Sequence, residues 1–180
     1  MLNTENANAP DDRREDDRGR AQQRLVADAK TFVTFDLSGQ TLGVEVSNVR
    51  EILDKVEIKR IPNASSRIEG IVDIRGESIP IIDIRSQLGM HDSSDEKDNR
   101  IIVFEVSNQN DPQPVGIIAD RVRDVTQIFS DQIEKPSDLI ASNDYEGDML
   151  GLARHDDFLI FLLDIKSLLQ IDFDCGEMRL

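Results

Sequence analysis

Short runs of β-branched residues, rather than long helical stripes, dominate the pattern of apolar positions along this chain. Two such runs, Ile71–Arg75 and Ser78–Ile82, flank Gly76-Glu77, a two-residue connection typical of a tight hairpin. The second run meets Asp83, and the residues up to Gly89 predict an Asp-capped helical turn that stops at the glycine. The pattern therefore predicts a compact unit of strand, hairpin, strand and capped turn.

The same unit occurs a second time further along the chain. Gly70 matches Gly151, Asp83 matches Asp164, and an Ile-Arg-Ser-x-Leu tail matches Ile-Lys-Ser-x-Leu. The upstream segments echo each other as well: residues 32–37 with 101–106, and 43–52 with 116–125. A repeat period of about 70–80 residues is too long for a solenoid and favours a duplicated small domain.

Short strands, glycine-marked turns and little helix imply small β-barrels or a sandwich, and the duplication favours two barrels. Each half is too small to bury much apolar surface alone, so the halves should share an apolar interface. We expect a disordered charged tail over residues 1–30, because almost nothing there is apolar. The folded region should span residues 31–172, in halves of about 31–90 and 100–172, with strand exchange between them left open. Residues 173–180 should form a frayed end.

The overall charge limits the classes of partner. The formal net charge is −15, with 38% apolar residues, so a normal core should lie under an acidic surface. An acidic surface opposes binding to nucleic acid and direct contact with anionic membranes. The chain shows neither an apolar signal region nor a run of the roughly 18–20 apolar residues that a membrane span needs. We therefore predict a cytoplasmic protein whose partners are other proteins.

No constellation of catalytic or metal-binding residues stands out. His91 and His155 lack metal-ligand spacing, and the single cysteine, Cys175, excludes a disulfide framework within the chain. Helix capping explains the regular placement of Asp83 and Asp164. No nucleophile elbow, Walker loop or dinucleotide fingerprint occurs. The sequence thus predicts a protein that is not an enzyme and that binds no cofactor or metal.

The central unit carries a resemblance to a known family. Gly70–Gly76 and Ile79–Arg85 resemble the Gly-Val-Ile-Asn-Leu-Arg-Gly and Ile-Pro-Val-Val-Asp-Leu-Arg signature of the CheW family of bacterial chemotaxis coupling proteins. Supporting matches lie at residues 43–44, 49–52, 60–63 and 116–122. The resemblance covers about residues 31–172. It implies a mainly β fold of two small five-stranded SH3-like β-barrels packed together, with a few short helices.

The resemblance also implies a function. Members of this family are non-catalytic adaptors that join the cytoplasmic tip of a chemoreceptor to the regulatory domain of a CheA-type histidine kinase. The residues that it places at coupling positions are Val49, Glu51, Ile58, Gly70 and Arg75. Arg75 and Glu51 are similar to a family ion pair that borders the receptor groove. Alternatively, Gly70 serves the backbone geometry, and Val49 and Ile58 are core residues.

Two other functions stay open at this point. One is an adaptor of the same family that serves a kinase pathway with an output other than chemotaxis. The other, from a different class, is an enzyme or small-ligand protein that uses the cleft between the barrels. That reading requires converging polar groups or groups with a shifted pKa, and the sequence shows no such constellation.

Overall fold

A computed structural model describes residues 28–54, 56–65, 67–91, 99–108, 111–136, 147–155 and 157–169. The frayed end expected at 173–180 lies outside these residues, as does nearly all of the tail expected at 1–30. The strands are β1 (Ala29–Leu37), β2 (Gln40–Glu45), β3 (Val49–Leu53), β4 (Ile68–Ile74), β5 (Glu77–Ile82), β6 (Arg100–Asn108), β7 (Asp111–Ala119), β8 (Arg121–Phe129), β9 (Ile133–Glu134), β10 (Met149–His155) and β11 (Phe158–Leu163). One short helix, α1 (Ile165–Leu168), follows the last strand.

The strands form two sheets, which confirms the predicted mainly β fold of two small barrels. Barrel A has the strand order β8-β1-β2-β11-β10-β9, and barrel B has the order β3-β6-β7-β5-β4. Barrel A thus carries a sixth strand, which is only two residues long. Barrel A combines the first two strands of the chain with the last four, whereas barrel B holds the five between them. Each half of the sequence repeat therefore contributes strands to both barrels.

In each barrel, a strand from the first half of the sequence pairs in parallel with a strand from the second half, and the two pairings are equivalent. β5 pairs with β7 so that Ile81 lies opposite Gly116, and β11 pairs with β2 so that Leu162 lies opposite Gly43. A Cβ atom on Gly116 would lie 2.5 Å from Ile81 Cδ1, and one on Gly43 would lie 2.9 Å from Leu162 Cδ2. The repeated glycines therefore leave room for the apolar side chain of the neighbouring parallel strand.

The apolar core has three layers. The interior of barrel B is packed around Val72, Ile79 and Val103, and the interior of barrel A around Phe32, Ile128 and Leu162. The central core lies between the barrels and draws on β1, β2, β5, β6, β7, β11 and α1: Val33, Phe35, Leu37, Leu42, Val44, Ile82, Ile84, Ile102, Phe104, Val106, Val115, Ile117, Ala119, Leu163, Ile165, Leu168 and Leu169. This layer makes the two barrels one packed body.

Strand β6 shows why these strands read as continuous apolar runs. Ile102 and Phe104 face the central core, whereas Ile101 and Val103 face the interior of barrel B. Successive side chains of a strand point to opposite faces, so a strand with apolar cores on both sides shows no polar alternation.

The hairpin of the central unit turns one residue earlier than the sequence predicted. Ile74 pairs with Glu77, so the connection is Arg75-Gly76 rather than Gly76-Glu77. Both turn residues have left-handed φ angles, +54° for Arg75 and +84° for Gly76, as a type I′ hairpin turn requires. The Asp73 carboxylate accepts a hydrogen bond from the Gly76 N–H at 3.0 Å, which favours this register over the predicted one.

Candidate partner-binding surface

All five residues that the resemblance singled out lie in barrel B or in the segment that closes it. Val49 and Glu51 are on β3, Gly70 is on β4, and Arg75 is in the β4–β5 turn. Ile58 is in the segment between β3 and β4. That segment joins β4 through paired backbone hydrogen bonds between Lys59 and Ile71, at 2.8 and 2.9 Å. The structure thus brings two separate stretches of the sequence onto one side of the barrel.

A β-bulge on β3 decides which of its side chains face outward. Val49 pairs with Phe104, but Glu51 pairs with Val103, so Arg50 is the extra residue. Val49 packs against the central core and is only partly exposed. Because the bulge shifts the alternation, Glu51 faces the interior of barrel B together with its partner Val103.

The bulge also exposes an apolar residue that sequence reasoning did not single out. Ile52 pairs with Ile102 and shares its face, which is the face of the central core. β3 is at the edge of its sheet, however, and Ile52 remains 41% exposed. Val46, in the turn before β3, is 37% exposed. Ile52 therefore extends the apolar layer between the barrels to the protein surface, and only the bulge reveals this.

The ion pair expected between Arg75 and Glu51 does not form. Glu51 lies 3.9 Å from Arg50 Nε, and among the described residues Arg75 forms no ion pair. Instead Arg50 donates two hydrogen bonds to the Glu77 carboxylate, at 3.3 and 2.7 Å. The hydrogen bond to Glu77 is the main reason that the pKa of Arg50 lies above its ordinary value. The left-handed turn leaves the Arg75 side chain exposed.

The Arg50–Glu77 pair joins β3 to the hairpin that carries Arg75. The two residues are 27 positions apart in the chain, and Glu77 is only two residues beyond Arg75. The charged groups of β3 and of the β4–β5 turn therefore lie at the same end of barrel B. Charged groups of both signs and the exposed apolar Ile52 are thus present on this side of the barrel.

Ile58 and Gly70 form the closest approach in this region. A Cβ atom on Gly70 would lie 2.7 Å from Ile58 Cγ2 and 2.5 Å from the Lys59 carbonyl oxygen. Ile58 packs against the interior core of barrel B. The glycine therefore allows the segment around Lys59 to lie directly on β4.

A buried charge cluster, which the sequence did not reveal, ties the two barrels together. The Arg85 side chain is 6% exposed and donates to Asp83 Oδ1 at 3.2 Å and to Asp120 Oδ1 at 2.6 Å. Asp120 Oδ2 in turn accepts from the Ser38 N–H at 2.6 Å. Burial acts to lower the pKa of Arg85, but the hydrogen bond to Asp120 and the two carboxylate charges raise it above its ordinary value. Since Ser38 follows β1 and Asp120 follows β7, the cluster fixes barrel A against barrel B.

The predicted aspartate caps are present in both units. Asp83 Oδ1 accepts from the Arg85 N–H at 3.0 Å, and Asp164 accepts from the Lys166 and Ser167 N–H groups at 3.1 and 3.3 Å. These bonds account for both aspartates without an acid–base role.

The described residues contain neither a cluster of metal-binding side chains nor a membrane-spanning helix. No group of three or more His, Cys, Asp or Glu side chains within them is arranged to hold a metal ion. None of the helices in the described part of the chain has the length and apolar character needed to cross a membrane.

Comparison with known proteins bears on this geometry. A sequence profile of the CheW-like domain family matches residues 31–173. The chain is 29% identical over 150 residues to the chemotaxis protein CheW of Thermotoga maritima, covering 82% of this chain and 94% of that protein. It is 29% identical over 138 residues to the chemotaxis protein CheW of Treponema pallidum, covering 76% of this chain and 80% of the relative.

A solved structure shares the fold. The crystal structure of the scaffolding protein TtCheW from Thermoanaerobacter tengcongensis matches with a TM-score of 0.66 and 31% sequence identity. The match covers 79% of this chain and 89% of that chain. The family resemblance found in the sequence motifs is thereby confirmed.

Proposed function

We propose that this chain, which belongs to the CheW-like domain family, is a non-catalytic scaffold that couples chemoreceptor tips to a CheA-type histidine kinase in the cytoplasm. The observation that carries this proposal is the surface at the edge of barrel B. There the apolar Ile52 lies exposed, continuous with the layer between the barrels, beside the Arg50–Glu77 ion pair. Such a surface binds by shape and polarity and needs no reactive group.

The receptor contact fits a helix laid into an apolar groove. An amphipathic helix binds by placing its apolar face against exposed apolar side chains, with charged groups at the rim fixing its orientation. Ile52 and Val46 supply exposed apolar area. Arg75 supplies an exposed charged group at the border, and Glu51, which faces the interior of barrel B and is 25% exposed, supplies a second charge that a partner reaches only in part. In this proposal Val49, Ile58 and Gly70 support the surface indirectly, because their packing holds β3 and the segment after it in place.

The kinase contact would be made barrel to barrel, between this chain and the homologous regulatory domain of the kinase. Both barrels end in edge strands, and unpaired edges are natural sites for pairing with another sheet. Contacts of this kind are individually weak, so an array of receptors, scaffolds and kinases would gain its stability from multivalency.

The receptor part is tested by changing exposed residues only. Ile52→Asp and Arg75→Glu should each weaken co-sedimentation with a receptor tip fragment and reduce receptor-coupled kinase activation, while the thermal midpoint of unfolding stays near that of the wild type. Arg154→Glu is the matched control, because Arg154 is also an exposed arginine but lies on β10 of barrel A. Unchanged coupling by both variants would contradict the assignment of this surface.

Val49 needs a different readout. Its contact with the central core means that Val49→Asp should lower the stability of the whole chain as well as receptor binding. Val49→Ala at low temperature separates the two effects, because a folded protein that still binds would assign Val49 to the core alone.

A further inference from the structure

Barrel A carries a cleft that plays no part in the surface described above. The cleft has a volume of about 230 Å³ and lies between β1, β2, β8 and the β10–β11 hairpin. The residues that line it are Thr34, Thr41, Arg121, Arg123, Asp124, Thr126, His155, Phe158 and Ile160. Most of these residues are polar or charged, and Phe158 and Ile160 are apolar. In a chain with 36 acidic and 21 basic residues, this cleft is less acidic than the chain as a whole, because Arg121 and Arg123 equal in number the carboxylates of Asp124 and of Asp36, which bonds to Arg123.

A bulge on β8 directs Arg123 across this cleft. Val33 pairs with Val125 and Phe35 with Val122, so two residues of β8, Arg123 and Asp124, lie opposite Thr34 alone. The Thr34 hydroxyl bonds to both backbone groups of Asp124 at the bulge: it donates to the carbonyl oxygen at 3.0 Å and accepts from the N–H at 3.3 Å.

Two contacts then hold the Arg123 guanidinium in place. Its carbon atom lies 4.3 Å from the centroid of the Phe158 ring, and its Nε donates to Asp36 Oδ1. This arrangement engages one face and one nitrogen of the guanidinium. Among the described residues the two terminal nitrogens have no bonded partner, so they remain available to a second anionic group.

Two further groups around the cleft have donors to spare. Within the described part of the chain Arg121 makes no ion pair, although it lies opposite Asp36 in the β1–β8 register. Thr126 is only 7% exposed and lines the cleft, yet its hydroxyl makes no hydrogen bond to any described residue. A hydroxyl that faces a cleft and has no protein partner can donate to a ligand there. The Asp124 carboxylate, by contrast, accepts from the Val125 N–H at 2.7 Å.

The surroundings of the cleft indicate what carries the anionic group. Exposed apolar side chains flank it: Val125 is 57% exposed, Phe158 44% and Leu159 38%. A free inorganic anion would gain nothing from these groups, whereas a peptide with acidic and apolar side chains would contact both. β8 is also the outermost strand of barrel A, so one of its edges has no strand partner among the described residues. An extended segment can lie along such an edge.

We propose that this cleft binds a carboxylate side chain of an extended acidic–apolar peptide segment from a partner protein, held by Arg121, Arg123 and the Thr126 hydroxyl. The exposed apolar residues at its rim contact the apolar side chains of the same segment. This site is separate from the proposed receptor surface, which lies on barrel B, and does not depend on that proposal.

The test uses the full chain and a synthetic octapeptide that alternates glutamate with valine. Isothermal titration should detect binding that weakens as salt is added, and a peptide with glutamine in place of glutamate should not bind. Arg121→Gln should weaken the affinity about tenfold through loss of a charge-assisted hydrogen bond, and Thr126→Val about threefold. Arg60→Gln is the matched control, because Arg60 is an exposed arginine outside the cleft and should leave the affinity unchanged.

Three outcomes would overturn the proposal. Equal binding of the glutamine peptide would remove the role of the carboxylate, and equal loss from Arg60→Gln would reduce the effect to overall charge. Binding of inorganic phosphate as tight as that of the peptide would make the cleft a small-anion site instead. Ile52→Asp should leave peptide binding intact, so a failure here is distinguishable from a failure of the receptor surface.

Discussion

Replacing Gly70 by alanine tests how barrel B is closed. The added Cβ atom would lie 2.5 Å from the Lys59 carbonyl oxygen and 2.9 Å from the Lys59 carbonyl carbon. Both are backbone atoms, so no side-chain rotation can relieve the overlap. The segment around Lys59 must instead move away from β4 by several tenths of an ångström or more.

That movement has a cost that the structure allows us to estimate. Lys59 and Ile71 exchange two backbone hydrogen bonds, at 2.8 and 2.9 Å, and each is worth about 1 kcal/mol net. The added Cβ would also lie 2.7 Å from Ile58 Cγ2, which pushes that side chain out of the interior core and adds about 1 kcal/mol for partial loss of its burial. We therefore expect Gly70→Ala to lower the free energy of unfolding by about 3 kcal/mol.

Urea unfolding measured by circular dichroism gives the free-energy change. Hydrogen exchange of the Ile71 and Lys59 amides then locates it, since these two should lose protection first. Gly76→Ala is the matched control: Gly76 has a φ of +84° and nothing within 4 Å of the added Cβ, so only backbone strain of about 1 kcal/mol applies. Gly151→Ala should resemble Gly70→Ala, because its Cβ would lie 2.8 Å from the Glu134 carbonyl oxygen.

The reasoning is refuted if Gly70→Ala unfolds within about 0.5 kcal/mol of the wild type, the range of a neutral surface change. It is also refuted if Gly76→Ala is the more damaging of the two. A Gly70→Ala protein of full stability that has lost receptor binding would instead assign Gly70 to direct contact with the partner.

Three further predictions concern the ion pairs and caps. Arg85→Met should lower stability by about 3 kcal/mol in urea unfolding, because it leaves Asp120 half-buried without its cation; a neutral result would mean that water replaces the guanidinium. Asp164→Ala should lower stability by about 1 kcal/mol through loss of the cap of α1, and a thermal midpoint equal to that of the wild type would contradict this role. Arg50→Gln should leave the urea midpoint unchanged, since its pair with Glu77 is solvent-exposed, and a clear shift would show that the pair is structural.

Much of the fold could be predicted from local patterns. The strand–hairpin–strand unit, its second copy and both aspartate caps follow from residues close together in the chain. The pattern was less reliable where backbone geometry overrode it. The hairpin turned at Arg75 because the Asp73 carboxylate binds the Gly76 N–H, and an arginine with a φ of +54° is not what turn propensities favour.

The candidate surface was only partly predictable. The residues that the resemblance singled out all lie in barrel B or in the segment that closes it, but the resemblance paired Arg75 with Glu51, whereas the structure pairs Arg50 with Glu77. The resemblance also did not single out Ile52. If β3 were regular, alternation from Val49 would turn Ile52 toward the interior of barrel B. The bulge at Arg50 turns Ile52 to the other face of the sheet, and no residue type in β3 indicates a bulge.

The sequence by itself determined the mainly β class, the duplication and the two aspartate caps. These depend on side-chain periodicity and on hydrogen bonds between near neighbours in the chain. Only the tertiary structure decided which strands share a barrel, which ion pairs form and which apolar residues stay exposed. Arg85 and Asp120 are 35 residues apart, and β2 pairs with β11 from the other end of the chain. Such contacts depend on the packing of both barrels around one central core, which no local pattern encodes.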